Sequence, residues 1–72
     1  MKTEQFRLKT DEDYIRLCDL LKICGAAETG GQAKNVILNG EVTVNGEVCT
    51  QKGKKMKRGD TAIYDDTVFE VC

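Results

Sequence analysis

The dipeptide Asn45-Gly46, flanked by Val42-Thr43-Val44 and Glu47-Val48-Cys49, constrains this chain more than any other feature. Asn-Gly supplies two adjacent positive-φ residues, the backbone that a two-residue hairpin turn requires if its strands are to keep their right-handed twist. Such a turn fixes the register: Val44 faces Glu47, Thr43 faces Val48 and Val42 faces Cys49. Val42, Val44 and Cys49 then share one face, and Val48 falls on the other, which implies either a partly covered second face or a bulge.

The hairpin is the end of a longer continuous pattern, residues 29–47, TGGQAKNVILNGEVTVNGE. Thr29 followed three residues later by Gln32 is a capping box, in which the two side chains satisfy orphan backbone donors at a helix start. Ala33, Val36 and Ile37 give this second helix, 30–39, an inward face, and Asn39-Gly40 stops it. Gly30 and Gly31 are poor helix formers in a helix interior, at about 1 kcal/mol each against alanine. In the first turn they cost less and leave the backbone donors approachable.

Upstream, Tyr14, Leu17, Cys18, Leu21 and Cys24 recur at steps of three and four, with Arg16, Asp19 and Lys22 turned away. This spacing predicts a first helix, started by Thr10 and Asp13 in a second capping pattern, with Asp11, Glu12 and Asp13 complementing its positive end. Gly25 fits its left-handed stop, and Ala26-Ala27-Glu28 is short enough to fold the second helix back on the first. Residues 5–9 alternate, with Phe6 and Leu8 on one side, as a short N-terminal strand does. Residues 50–58 read as an exposed polar connection, Gly59-Asp60 as a turn, 61–64 as a strand, Asp65-Asp66 as another turn and 67–71 as the closing strand. The expected class is α+β, two helices on a small, mainly antiparallel sheet.

A chain of 72 residues supports one small core, so one domain is expected over 1–72. No window approaches the roughly 18 to 20 apolar residues of a membrane span, and the N-terminus lacks a signal-peptide core; a cytoplasmic protein is expected, with no membrane partner. Four cysteines, at 18, 24, 49 and 72, include no C-x-x-C pair, and histidine is absent. Neither a metal site nor a disulfide framework is expected. Cys18 and Cys24 read as core residues and Cys72 as an exposed terminal thiol.

No constellation for acid–base or nucleophilic catalysis is visible without histidine. Gly30-Gly31 matches neither a dinucleotide fingerprint nor a P-loop. A thiol-dependent enzyme using Cys49 or Cys72 is a distant third reading, and no cofactor is expected. Arg58-Gly59-Asp60 reads as a turn leading into a strand. Net charge is only −1, yet five of the seven residues from 52 to 58 are basic. Free N–H groups at Gly30 and Gly31 can hold a phosphate, with Lys34 one turn along, and Lys52, Lys54, Lys55, Lys57 and Arg58 would form a flexible cationic loop. An ordinary solvated lysine-rich loop is the competing explanation. Phe6, Tyr14, Tyr64 and Phe69 fit apolar strand or helix positions, which argues against base stacking.

The order of these parts resembles the RNA-binding domain of the ribosomal-protein-S-four type, the alpha-L RNA-binding motif. The resemblance spans about 15–71 and rests on Ala33, Ile37, Gly40, Val42, Val44, Asn45-Gly46, the KGKKMKRGD run and Ile63. The TGGQAK version with a short N-terminal strand is similar to the small stand-alone bacterial YbcJ-like family. The resemblance implies binding to structured RNA, ribosomal RNA or the ribosome among the candidates, by a monomer without enzymatic activity. It places Thr29, Gln32 and Lys34 at polar recognition positions, and Lys52, Lys54, Lys55, Lys57 and Arg58 in the basic connection. Many members carry an arginine directly after the capping serine or threonine. Gly30 stands there in this chain, so backbone contacts at Gly30 and Gly31 would have to replace a forked phosphate donor. A protein-interaction module of the same fold is the alternative function.

Overall fold

The computed structural model describes residues 1–72. In chain order the elements are β1 (Lys2–Phe6), β2 (Tyr14–Arg16), α1 (Leu17–Ile23), α2 (Gly30–Leu38), β3 (Thr43–Val44), β4 (Glu47–Val48), β5 (Lys55–Lys57), β6 (Thr61–Tyr64) and β7 (Thr67–Val71). Five strands form one sheet in the order β1-β7-β6-β3-β4, and β2 with β5 makes a separate two-stranded ribbon. The β1–β7 pair is parallel, and the remaining pairs of both sheets are antiparallel.

The run that is most explicit in the sequence folds as its local chemistry dictates. The N–H of Gln32 donates to Thr29 Oγ1 at 3.1 Å, and Gln32 Oε1 accepts from the Glu28 N–H at 2.9 Å. The return arm of the capping box thus lands one residue before the cap. At the far end Gly40 has φ 76. Its N–H donates to Ile37 O at 3.0 Å, and the Glu41 N–H donates to Val36 O at 3.1 Å. This pair of bonds is a Schellman stop, which satisfies two orphan carbonyls. Asn45 and Gly46 adopt φ 51 and 87, and Thr43 pairs with Val48 and Val44 with Glu47. The Cys49 N–H adds a third rung to Val42 O at 3.0 Å. Val48 is simply exposed, at 64%, so neither a cover nor a bulge is needed to explain it.

Three expectations are corrected. The first helix begins at Leu17, not near Thr10: Tyr14–Arg16 is strand β2, and Arg16 is the N-cap without a side-chain cap bond. The acidic run instead belongs to a turn in which the Glu12 N–H donates to Lys9 O and Glu12 Oε1 accepts from the Lys9 N–H. The N-terminal strand is Lys2–Phe6 instead of 5–9, because the five residues of β7 pair with those five. Leu8, beyond the strand, is still buried, with its N–H on Cys72 O at 3.0 Å. Finally, 50–58 is not a simple exposed connection. Lys55–Lys57 pairs with β2, and Met56 is fully buried.

One cluster of fifteen buried apolar residues forms the core, from Leu17, Leu20 and Leu21 of α1 and Ala33, Val36 and Ile37 of α2, through Val42 just before β3, to Val44, Ala62, Phe69 and Val71 of the large sheet. Ile15 and Met56, directly opposite each other in the ribbon, carry that core outward. The four cysteines are free and half-buried. Cys18 and Cys24 pack against the core as small apolar groups do. Cys72, expected to be exposed, is instead half-buried: its N–H donates to Phe6 O at 2.8 Å and its Sγ to Glu70 Oε1 at 3.8 Å. No helix is long and apolar enough to cross a membrane.

Candidate nucleic-acid interface

Two groups of expected contact residues can be located. The first is the start of α2. Thr29 and Gln32 are occupied with capping, as described, and both are exposed, as are Gly31 and Lys34. The first intrahelical bond runs from the Ala33 N–H to Thr29 O at 3.1 Å, which leaves the N–H groups of Gly30 and Gly31 without a protein acceptor. A β-carbon placed on Gly30 would meet nothing within 4 Å. The bareness of this helix start is therefore no steric requirement of the fold.

The second group is 52–58, and its backbone is anything but a loose loop. The Cys18 N–H donates to Lys52 O at 3.3 Å and the Leu17 N–H to Lys54 O at 2.9 Å. Two of the orphan donors at the start of α1 are thus satisfied by carbonyls of the basic segment, which explains how the helix starts without a capping side chain. The segment then enters β5, where Met56 fixes the inward face and throws Lys55 and Lys57 outward. The Asp60 carboxylate finishes it: Oδ2 accepts from the Lys57 N–H at 2.8 Å.

The cations of this segment have unequal roles. Lys55 Nζ lies 5.1 Å from the centroid of the Tyr14 ring, a cation–π contact. The Arg58 guanidinium donates to Lys9 O at 2.9 Å and so tethers the turn that precedes β2. Arg58 is therefore partly committed to structure, which the basic pattern alone did not reveal. Lys52 and Lys54 are exposed, their carbonyls bonded and their ammonium groups outward in solvent. No hydrogen bond joins the start of α2 to the 52–58 segment.

Two residues of this surface escaped sequence reasoning. Arg16 looked like the solvent face of a helix, and Tyr14 like its apolar face; both instead stand exposed on β2, opposite Lys55 and Lys57 respectively. The available signal was polar–apolar–polar alternation in Tyr14-Ile15-Arg16 and Lys55-Met56-Lys57, three residues each. Phe6, Tyr64 and Phe69 do pack with the core.

The electrostatics add little beyond these cations. Partial burial pushes the Cys24 thiol up from 9.0, and the Glu4 carboxylate adds to the effect. Cys24 lines a shallow hollow with Lys2, Glu4, Tyr64 and Phe69, to which no residue of the 52–58 segment contributes.

Comparison with known proteins matches this arrangement. The family model described as S4 domain matches residues 6–72. A relative from Escherichia coli (strain K12), named "Putative RNA-binding protein YbcJ", is 45% identical over 51 residues, covering 71% of this chain and 73% of the relative. A YbcJ from Shigella flexneri, named as uncharacterized, gives the same identity and coverage. The solution structure of YbcJ from E. coli, described as revealing an alfaL motif involved in RNA-binding, superposes with a TM-score of 0.68 at 39% identity, covering 93% of this chain and 84% of that one. With α1, α2 and the β3–β4 hairpin in place and the family match running through all of them, the chain belongs to the S4 domain family.

Proposed function

We propose that this protein is a non-enzymatic, monomeric RNA-binding module that works in the cytoplasm and docks on structured RNA, with ribosomal RNA among the candidates, through its phosphates. The observation that carries the reading is the pinned basic segment. Lys52, Lys54, Lys55 and Lys57 are exposed on a backbone held by two bonds from α1, by pairing with β2 and by the burial of Met56. Cations on a fixed backbone lose less freedom on meeting a rigid phosphate array than cations on a loose loop. The start of α2 supplies a second anion-friendly element, with the Gly30 and Gly31 donors unused and Lys34 nearby. The family match and the RNA-binding descriptions of the YbcJ relatives support the same reading.

Counterion release makes it testable. If about four phosphates are contacted, affinity for a folded ribosomal RNA fragment falls roughly a hundredfold between 50 and 200 mM salt. Substituting Lys54, Lys55 and Lys57 together by alanine lowers the log–log slope by roughly 2 to 3. An unchanged slope removes 52–58 from the interface. Partners that survive nuclease and high salt in a pull-down, with no RNA bound by the purified chain, would favour a protein-interaction module instead.

A further inference from the structure

The solvent face of the β2–β5 ribbon holds Tyr14 and Arg16 on one strand and Lys55 and Lys57 on the other, while Ile15 and Met56 take the core face. Arg16 stands directly opposite Lys55. Like charges facing each other across a strand pair repel, and neither strand of the ribbon contains a carboxylate to relieve them. Tyr14 stands opposite Lys57 and remains 39% exposed, although the Lys55 ammonium leans over its ring at 5.1 Å. An exposed aromatic ring among three cations on a rigid ribbon suits one chemistry well. A nucleotide offers a π face for the ring and phosphates for the cations.

Resting on the RNA reading above, we propose that Tyr14 stacks on one unpaired base of the bound RNA, while Arg16, Lys55 and Lys57 hold the phosphates that flank it. Arg16 brings a planar, forked guanidinium, which grips phosphate oxygens in pairs where lysine acts as a point charge. It supplies at the ribbon the type of donor that Gly30 does not supply at the start of α2. The ribbon and α2 then divide the work: the helix start, Lys34, Lys52 and Lys54 meet the paired backbone, and the ribbon selects a bulged or looped nucleotide, because only an unpaired base can leave its own stack.

The chain has two tyrosines and no tryptophan, so Tyr64→Phe leaves Tyr14 as the only source of tyrosine emission. The probes are an RNA hairpin with a single bulged nucleotide and a fully paired duplex of the same length, at one salt concentration. Saturating bulged RNA is expected to quench Tyr14 emission strongly, and duplex to quench it little. In the otherwise native chain, Tyr14→Ala is expected to weaken binding of the bulged RNA by about fivefold or more, as loss of one stacked base does. Its duplex affinity falls by less than its affinity for the bulged RNA, and Tyr14→Phe restores the preference. Unquenched Tyr14 at saturation, or equal affinity of folded Tyr14→Ala and native protein for the bulged RNA, overturns the stacking site. The fluorescence experiment decides alone if Tyr14→Ala does not fold. Binding of both RNAs with the expected salt slope but no quenching leaves the RNA reading standing and removes this proposal. Failure of the native chain to bind either RNA removes both.

Discussion

The carboxamide of Asn45 donates to the carboxylate of Asp60 at 3.2 Å and so joins two turns that lie fifteen residues apart. Asn45 Oδ1 also accepts from the Thr61 N–H at 3.1 Å, and Asp60 Oδ2 from the Lys57 N–H at 2.8 Å. The hairpin turn and the Gly59-Asp60 turn are thereby one device. It sets the end of β5 relative to β3 and β6, and with it the direction in which the ribbon cations point. In this chain the Asn-Gly and Gly-Asp turns complete each other's hydrogen bonds.

Asn45→Ala removes the side-chain bonds of Asn45 and puts at φ 51 a residue without asparagine's tolerance of left-handed backbone, so a loss of about 2 to 3 kcal/mol is expected. Asn45→Gly keeps the backbone freedom and loses the bonds alone, about 1 kcal/mol. Urea midpoints compare the two. Equal losses would mean that the positive-φ backbone adds nothing to the cost, and no loss in Asn45→Gly would mean that the side-chain link carries none of the stability.

Met56 separates a pinned segment from a loose one. Because it is fully buried, Met56→Ala should cost about 2 to 5 kcal/mol. Lys55→Ala and Lys57→Ala, on the opposite face, should stay within about 0.5 kcal/mol of the native chain. A harmless Met56→Ala in thermal or urea unfolding contradicts the β5 assignment.

Gly30 has ordinary helical backbone and open space around the position of a side chain. Gly30→Arg is therefore expected to fold normally, even to gain a few tenths of a kcal/mol from the lost glycine entropy. It should also tighten binding to a folded RNA about tenfold, equivalent to ~1.4 kcal/mol, by adding a forked phosphate donor. Unaltered affinity in a filter-binding titration would place α2 outside the RNA contact.

Burial and Glu4 raise the thiol of Cys24 above 9.0. An acid whose folded pKa is raised keeps its proton longer in the folded chain than in the unfolded one. Its contribution to stability is thus whole below the unfolded value and declines as pH rises from about 9 through the folded value. Cys24→Ala should flatten that alkaline decline relative to the native chain. Coincident stability curves from pH 8 to 11 would show that the thiol stays as solvated as in the unfolded state.

The parts legible in the sequence are those whose information is local. Thr29, Gln32, Gly40, Asn45 and Gly46 determine their own surroundings within a few residues, so the helix stop and the hairpin register follow directly from sequence. The β2–β5 ribbon was hidden because each strand has three residues and a single buried side chain, and the two lie about forty residues apart. Tyr14 also fell in phase with Leu17 and Leu21, so the helical period ran on past the true start of α1. The basic composition at 52–58 identified the cations, while their rigidity came from Met56 and from carbonyls of their own backbone.

The parallel pairing of β1 with β7 has a kinetic consequence. Lys2 meets Thr67 and Phe6 meets Val71, so this contact closes a loop of nearly the whole chain, whereas α2 and the β3–β4 hairpin need only their neighbours. Loop closure loses more entropy the longer the loop, and contacts of high sequence separation slow folding. The helix-and-hairpin unit can consequently organise early, and β1 is left to dock last on an already formed sheet edge, as the seam most readily reopened.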